Sequence, residues 1–285
     1  MIDIAVFGLV TSGIYALMAV GVALIYGVGR VINFAHGAFY MLGAYGTHVY
    51  ATYLGVSWPV AAVLSVLSVA ALSAVIDRVL IEPIRDNEVI VWILTFALAF
   101  GLREGVVLAL GARPYSIPAM TPASVQVLGT TIAAQRLLVV AVTLVCLAAL
   151  WAFLYGTRWG KALRAIAQNR DAAHLMGVPV RTAHAMVMAV SAALAAVAGI
   201  IIAPISVVTP DMGLEALLMA FTIVIFGGIG SLQGSLVASL IVGYIGTLVS
   251  FTVSAQLVTI SALVLVFAVL LVRPAGLFGT AVERL

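Results

Sequence analysis

The segment "IAVFGLVTSGIYALMAVGVALIY" (residues 4–26) decides the fold, because it carries no charged side chain over a length that can cross a bilayer. A hydrocarbon core about 30 Å thick needs roughly 20 consecutive apolar residues in a helix. Comparable runs recur along the 285-residue chain, which is 65% hydrophobic and 8% charged. Soluble domains carry about 25% charged residues. The sequence therefore predicts a polytopic membrane protein.

Helices are the expected spanning elements, because lipid offers no hydrogen-bond partner to an open backbone. The apolar runs predict an all-α protein with eight to nine transmembrane helices in a single domain, residues 1–285. Gly227, Gly228 and Gly230 interrupt a long run and divide it into two helices. The predicted segments are 4–26, 34–54, 58–80, 89–110, 136–156, 182–203, 215–228, 232–250 and 254–272.

The basic side chains predict the orientation, because Lys and Arg in short loops stay on the cytoplasmic side. Nine crossings would place ten of the 13 basic residues on one side: Arg30, Arg78, Arg85, Arg158, Lys161, Arg164, Arg170, Arg181, Arg273 and Arg284. Arg113 and Arg136 would lie on the other side, and Arg103 within a span. The N-terminus is accordingly predicted outside and the C-terminus in the cytoplasm.

Clusters of titratable side chains, which catalysis and metal binding require, are missing from the sequence pattern. The four histidines have neither i, i+4 pairing nor nearby carboxylates at metal-ligand spacing. "GTRWGKA" (156–162) lacks the spacing and the Ser or Thr of a phosphate loop. "GGIGSLQG" (227–234) does not follow a strand, as a dinucleotide fingerprint would. We expect no catalytic residues, no metal and no cofactor in this chain.

Several polar positions inside the spans remain open to two interpretations. Arg103 and Glu104 suggest a functional site, because ionisable groups are costly in lipid. As sequence neighbours they are predicted not to face each other, and Arg103 can instead reach the headgroups. Small residues recur four apart, as in Ser235, Ser239 and Gly243, and suit either helix packing or a lined passage.

Two further segments combine glycine with polar side chains at predicted helix ends. In "VINFAHGAFY" (31–40), Asn33 can cap a helix whose first turn holds His36 and Gly37. The break at 227–234 contains Gly227, Gly228, Gly230, Ser231 and Gln233. Broken helices often lie near the pathway of a transporter, although glycine also serves plain packing. We expect both segments at the cytoplasmic mouth of a translocation pathway.

The stretch "GKALRAIAQNRDAAHLMGVPVR" (160–181) is basic in an otherwise apolar chain. Asp171 near its start and Gly177 near its end predict a short helix between two spans. Such a helix could lie on an anionic membrane surface or dock a cytoplasmic partner. The residue pattern alone leaves both alternatives open.

Nearly the whole chain resembles the branched-chain amino acid permease family of ABC importers, and in particular the shorter of the two membrane subunits. The resemblance rests on these motifs: "SGIYALMAVGVALIYGVGRVINFAHGAFYMLGAY", "DRVLIEPIR", "GKALRAIAQNRDAAHLMGV", "FGGIGSLQGSLVASLIVG" and "RPAGLFG". It implies a bacterial or archaeal inner-membrane protein. The implied partners are a second homologous permease, two cytoplasmic ATP-binding subunits, which bind the ATP, and an extracytoplasmic solute-binding protein.

"DAAHLMG" (171–177) is similar to the coupling motif of such permeases, which fits a groove on the ATPase. The resemblance therefore implies a coupling role for Arg164, Arg170, Asp171, Ala172, Ala173 and Gly177. Ala172 and Ala173 would permit close approach, and Gly177 would allow the following turn. The family usually has an acid directly after "NFAHG", where this chain has Ala38, so urea, amides or aromatic acids are alternatives to an aliphatic amino acid as solute.

The function expected from these features is that of the permease subunit of an ATP-driven importer, without hydrolytic residues of its own. The rival is a stand-alone secondary transporter or channel for a small polar solute. Such a protein needs coupling-ion groups inside the membrane, and Glu104 is the acid that the sequence places well within a span. Co-purification of ATPase subunits would separate the two.

Overall fold

The computed structural model describes residues 2–118, 123–127 and 130–279, and most of these residues are helical. The helices are α1 (Ile2–Gly29), α2 (His36–Tyr53), α3 (Trp58–Ile76), α4 (Glu88–Leu110), α5 (Ala134–Gly156), α6 (Arg158–Gln168), α7 (Arg170–Leu175), α8 (Val180–Ile202), α9 (Met212–Gly227), α10 (Leu232–Thr252) and α11 (Val258–Val272). All nine predicted segments coincide with a helix. Arg284 lies outside the described residues.

Seven of these helices are long and apolar enough to cross a membrane. α2 and α9, with 18 and 16 residues, are the other two elements at predicted spans. At 1.5 Å per residue, α9 is about 24 Å long, which is shorter than the hydrocarbon core. The helical fold is confirmed, and the last span reaches 18 residues because a 3-10 turn (Ala255–Leu257) precedes α11.

Three local elements after α3 and before α5 were not predicted. A π-helical turn (Asp77–Ile81) and a 3-10 turn (Glu82–Ile84) continue α3 beyond residue 80. A two-stranded antiparallel hairpin, β1 (Ser124–Val127) and β2 (Thr130–Ala133), lies in the loop before α5. Its alternating Val, Thr and Ile residues favour strands, but the signal is too short to stand out beside the prolines of this loop.

α1 forms the centre of the bundle and packs against α10, α8, α9 and α5. Ser235, Ser239 and Gly243 on α10 are buried against neighbouring helices. A Cβ atom added to Gly243 would meet the backbone of Ser12 on α1. Lipid provides no hydrophobic drive between helices, so association depends on such close approach. The small-residue ladder on α10 therefore serves packing.

α2 is held by backbone-to-backbone contacts with two neighbours. Gly43 lies against the backbone of Ala196 on α8, and Gly199 on α8 lies against the carbonyl group of Tyr40. Gly37 meets the carbonyl oxygen of Gly213, in the first turn of α9. The first two contacts hold α2 against α8, and the third joins the starts of α2 and α9.

The chain returns into the bundle between α1 and α2. Arg30 adopts a positive φ of 54°, after which residues 31–35 run back along α1. Nε2 of His36 lies 3.2 Å from the carbonyl oxygen of Met18, in the middle of α1. The prediction that 33–37 lies at the cytoplasmic end of a span is therefore wrong. An extended segment rises further per residue than a helix, so these few residues re-enter deeply.

We predict that Gly199→Ala lowers stability by about 1–3 kcal/mol, because the new methyl group overlaps the Tyr40 carbonyl. Gly105→Ala is the matched control, since an added Cβ there meets no atom within 4 Å. Thermal unfolding of the detergent-purified chain measures both. Equal effects of the two substitutions would contradict the packing described for α2 and α8.

Candidate functional site

The loop after α5 folds into two capped helices. Thr157 caps α6 by accepting a hydrogen bond from the Gly160 N–H at 3.0 Å, and Asn169 caps α7 by accepting one from Ala172 at 3.0 Å. Gly160, Leu163 and Ile166 form the buried face of α6. The predicted helix of the basic stretch is thus present, with a second helix before it.

α7 ends in an exposed apolar tip. The side chains of Leu175 and Met176 are 86% and 84% exposed. Gly177 follows with a φ of 81°, a conformation that favours glycine and turns the chain toward α8. Two large apolar side chains thus lie exposed beside the charged residues Arg170 and Asp171.

The small residues of α7 divide between two surfaces. Asp171 and Ala172 are exposed, whereas Ala173 is 5% exposed and packs against the bundle. Close approach of a partner at Ala173 is therefore excluded in this conformation. Its small side chain instead permits α7 to lie close to its own chain, while Ala172 remains on the outer surface.

Basic residues anchor the same loop. The guanidinium group of Arg164 lies 4.4 Å from the ring centre of Tyr155 at the end of α5. Nε of Arg181 lies 2.8 Å from Oε1 of Glu82, in the 3-10 turn after α3. Arg170, Asp171 and these two ion-pair residues border one polar cavity of about 570 Å³. The first turn of α8, directly after α7, is thereby linked to the end of α3.

A buried ion pair lies one layer deeper. Nη2 of Arg85 donates to Oδ1 of Asp77 at 2.8 Å, and their side chains are 7% and 1% exposed. Asn33, His184 and Gly29 border the adjoining cavity. Sequence reasoning missed this pair, because the π-helical turn and the 3-10 turn bring together residues that a regular helix would separate. Asp77 is thus an acid inside the span Trp58–Ile84.

The predicted pathway residues of the re-entrant segment are largely enclosed. Asn33 is 4% exposed and His36 is fully buried. Asn33 Oδ1 accepts from the N–H of Ala35 at 2.9 Å, and the N-cap position of α2 is Ala35 without a side-chain cap. Asn33 therefore does not cap α2 as expected, but stabilises a turn that directly precedes the helix. Phe34 N–H donates to Thr95 Oγ1 on α4 at 3.3 Å.

Phe34 separates two cavities. Its ring makes edge-to-face contacts with Phe96 and Phe221, at centroid distances of 5.8 and 5.5 Å. On one side lies an apolar cavity of about 240 Å³, bordered by Asn33 and by side chains of α1 and α9. On the other side lies a shallow open cavity between α2, α4 and the start of α9, which we call the outer cavity. Its lining residues are Phe34, Gly37, Ala38, Met41, Ala99, Phe100, Arg103, Pro210, Asp211, Gly213, Leu214 and Leu217.

Arg103 lies at the edge of the outer cavity with two acidic partners. Its Nε donates to Asp211 Oδ1 at 2.7 Å, and its Nη1 contacts Glu104 Oε1. The prediction that Arg103 and Glu104 do not meet is wrong, because their long side chains bend toward each other outside the helix backbone. The hydrogen bond from Arg103 holds the pKa of the Asp211 carboxyl below its ordinary value.

The glycine-rich break supports the C-terminal segment. Gly228 and Gly230 have φ values of 103° and 83°, and the N–H groups of Leu277 and Phe278 donate to the carbonyl groups of Phe226 and Gly227, each at 2.9 Å.

Ser231 caps α10 by accepting from Gly234, and Gln233 is exposed. The predicted pathway residues at 227–233 are not among those that line the two cavities beside Phe34. Ile229 borders the apolar cavity together with Asn33, whereas Gly227 and Gly228 pack against backbone. Glycine in this break therefore permits close packing and a sharp turn.

Comparison with known proteins gives a family. A family model described as the permease component of the branched-chain amino acid transport system matches residues 4–273. The high-affinity branched-chain amino acid transport system permease protein LivH of Escherichia coli (strain K12) is 31% identical, covering 95% of this chain and 93% of the relative. The corresponding protein BraD of Pseudomonas aeruginosa is 31% identical, covering 95% and 94%.

A solved structure shares the fold. PsaBC from Streptococcus pneumoniae, determined in complex with a Fab, aligns with a TM-score of 0.52 at 14% identity. The alignment covers 92% of this chain and 89% of that chain. The helical arrangement is therefore found in a protein of known structure with which this chain has little sequence in common.

We predict that Arg85→Ala destabilises the chain by about 3–5 kcal/mol, because Asp77 would remain buried without its cation. The double substitution Asp77→Asn with Arg85→Gln should cost less, since no uncompensated charge remains. Arg78→Ala, at an exposed neighbouring position, serves as the control. Thermal unfolding in detergent measures all three. An Arg85→Ala protein as stable as the control would show that the pair contributes little.

Proposed function

The chain belongs to the branched-chain amino acid transport system permease family, and on this basis we propose that it is a membrane-spanning subunit of an ATP-driven importer. Its solute would be a branched-chain amino acid or a related small polar molecule. The family model and the relatives support this proposal over nearly the whole chain. The permease itself supplies a passage, whereas ATP would be bound and hydrolysed by separate subunits.

The exposed tip of α7 is the observation that best supports a contact with an ATP-binding subunit. Leu175 and Met176 project from a polar loop, where water makes their exposure unfavourable. The loop also carries Arg170 and Asp171, which would oppose insertion of this tip into lipid. A groove on a cytoplasmic ATP-binding subunit would cover the two apolar side chains. Arg164, Arg170, Asp171 and Ala172 would then lie at the rim of that contact.

The remaining partners follow from the proposed importer. A second, homologous permease would complete the passage, two ATP-binding subunits would lie on the cytoplasmic side, and a solute-binding protein would deliver the solute from outside. Many apolar side chains of α4 and α11 are exposed in the single chain, among them Ile93, Phe96, Val264 and Phe267. Lipid and the second permease are the surroundings that suit this surface.

Movement of α7 would reach the passage through the end of α3. The Arg181–Glu82 ion pair joins the first turn of α8, directly after α7, to the 3-10 turn, and Asp77 lies one turn deeper beside the cavity that Asn33 borders. ATP would favour one state of the permease pair through unequal affinity for its two conformations. This route links the ATPase contact to the re-entrant segment at 31–35.

For the passage itself, the outer and apolar cavities are better candidates than the glycine-rich break. Asn33 borders the apolar cavity and Gly37 the outer one, with Phe34 between them. His36 is enclosed behind this segment and would support its position. Gly227, Gly228, Gly230, Ser231 and Gln233 would act through the packing and turn of the α9–α10 connection.

A self-sufficient secondary transporter is the alternative, and the buried Asp77 gives it one specific argument, since intramembrane carboxylates often serve ion coupling. Expression of the chain alone, and together with the other four components, separates the two. The proposal expects leucine uptake into proteoliposomes only from the full assembly and only with ATP. Uptake by the lone chain driven by a proton gradient would refute it.

We predict that Leu175→Ser with Met176→Ser reduces solute-stimulated ATP hydrolysis of the assembly at least tenfold. The two side chains would lose their apolar burial, about 1.5–3 kcal/mol for each. Val207→Ser, at an exposed apolar position in the connection between α8 and α9, is the matched control. Normal stimulation of the double variant would exclude the tip of α7 as the coupling contact.

We also predict that residues 86 and 170 face the cytoplasm and residue 113 the outside. Single cysteines replace Asp86, Arg170 or Arg113 in a Cys146→Ser background, and an impermeant thiol reagent is applied to intact cells. These three positions are exposed. Only position 113 should react before permeabilisation. Labelling of position 170 in intact cells would reverse the orientation.

A further inference from the structure

The outer cavity joins a charged edge to an apolar interior. Arg103 and Asp211 are the charged side chains of its lining, and the other lining residues within the described chain are apolar or glycine. Phe34, Met41, Phe100, Leu214 and Leu217 provide the apolar surface. Gly37, Ala38 and Gly213 leave it open, because their side chains are minimal.

The charges of this edge remain accessible and unequal in number. Two carboxylates, those of Asp211 and Glu104, contact the single guanidinium group of Arg103. The side chains of Asp211 and Glu104 are 63% and 53% exposed. Arg103 is 33% exposed, although it lies inside the span Glu88–Leu110. Groups held only for structure in a membrane protein are normally enclosed or reach the headgroups. Here both signs of charge face an open cavity.

From this arrangement we propose that the outer cavity binds the solute as a zwitterion, with Arg103 holding its carboxylate and Asp211 its ammonium group. The apolar part of the cavity then receives the solute side chain, and Phe34 separates it from the apolar cavity that Asn33 borders. A guanidinium group matches a carboxylate in geometry as well as in charge. A sugar would find few uncharged donors and acceptors at this edge, and a simple anion bound to Arg103 would leave Asp211 without a cation. The inference rests on the proposed importer function and assigns it a site.

When the solute binds, two new charged pairs replace the Arg103–Asp211 pair: Arg103 with the solute carboxylate, and Asp211 with the solute ammonium group. The Arg103–Asp211 hydrogen bond joins α4 to the loop before α9 in the free cavity. A zwitterion between the two side chains keeps both charges paired while it separates them. The cost of breaking the exposed pair is small, because water already screens it. Entry of solute is therefore coupled to a slight parting of α4 from the start of α9.

The test uses the full assembly in proteoliposomes, with radiolabelled L-leucine as the probe. Arg103→Gln and Asp211→Asn are each expected to lower ATP-dependent uptake at least tenfold, since a hydrogen bond between charged groups contributes about that factor or more. The assembly should form normally in both. Arg113→Gln and Glu215→Gln remove the same charges outside the cavity and should retain uptake within twofold of the unchanged protein.

The charge-reversed double variant, Arg103→Asp with Asp211→Arg, separates a binding site from a structural tie. A tie would be restored by reversal, whereas a site would not, because the zwitterion would have to turn around and lose the fit of its side chain. Uptake restored to within twofold of the unchanged protein would therefore overturn the inference. Should the neutral variants fail to assemble, Arg103→Lys and Asp211→Glu retain the charges, and an unchanged KM for leucine in both would equally overturn it.

Failure of the inference is distinguishable from failure of the proposed function. An unchanged assembly that does not import leucine with ATP contradicts the importer function for this solute. An assembly that imports leucine normally, with both neutral variants equally active, contradicts only the assignment of the site to Arg103 and Asp211.

Discussion

The start of α2 inside the bundle is the constraint on which the surrounding structure depends. A helix that begins in an apolar environment has backbone N–H groups without helical partners, and leaving them unpaired is costly. The chain supplies local acceptors: Asn33 for the N–H of Ala35 and Thr95 for that of Phe34. This requirement fixes the re-entrant segment against α4, and it places the Phe34 ring between the two cavities.

Glycine then determines which helices can meet this start. The contact of Gly37 with Gly213 brings the first turn of α9 beside the first turn of α2, and any larger residue at either position would separate them. Asp211, directly before α9, is thereby carried to Arg103 on α4. The uncharged glycine contact therefore determines where the Arg103–Asp211 pair forms, because close approach of the two helix backbones sets the positions of the side chains beside them.

The sequence predicts the helices well, because an apolar run without charges has few other solutions in lipid. It also predicts the short helix α7, from Asp171 near its start and Gly177 just after its end. It does not reveal that residues 31–35 turn back, since neither Asn33 nor Gly37 differs in pattern from an ordinary helix start. The Arg103–Asp211 pair joins residues 108 positions apart. Such pairs depend on tertiary packing, which no local sequence pattern indicates. The burial of Ala173 could not be predicted for the same reason.

The distribution of close contacts indicates which helix is free to move. α2, α8 and α9 interlock through glycine, and contacts of this kind have one favourable distance and do not stretch. α4 differs, because its buried residues are Val91, Thr95 and Val106 and its principal contact in the described chain is with α2. It is joined to the rigid group by the Thr95 hydrogen bond, the Phe34–Phe96 contact and the Arg103–Asp211 pair. Each of the three involves a residue that lines a cavity, which is Phe34 in the first two and Arg103 with Asp211 in the third. A permease that alternates between two states needs an element whose contacts can exchange without unpacking the core, and α4 is the helix on which those exchangeable contacts converge.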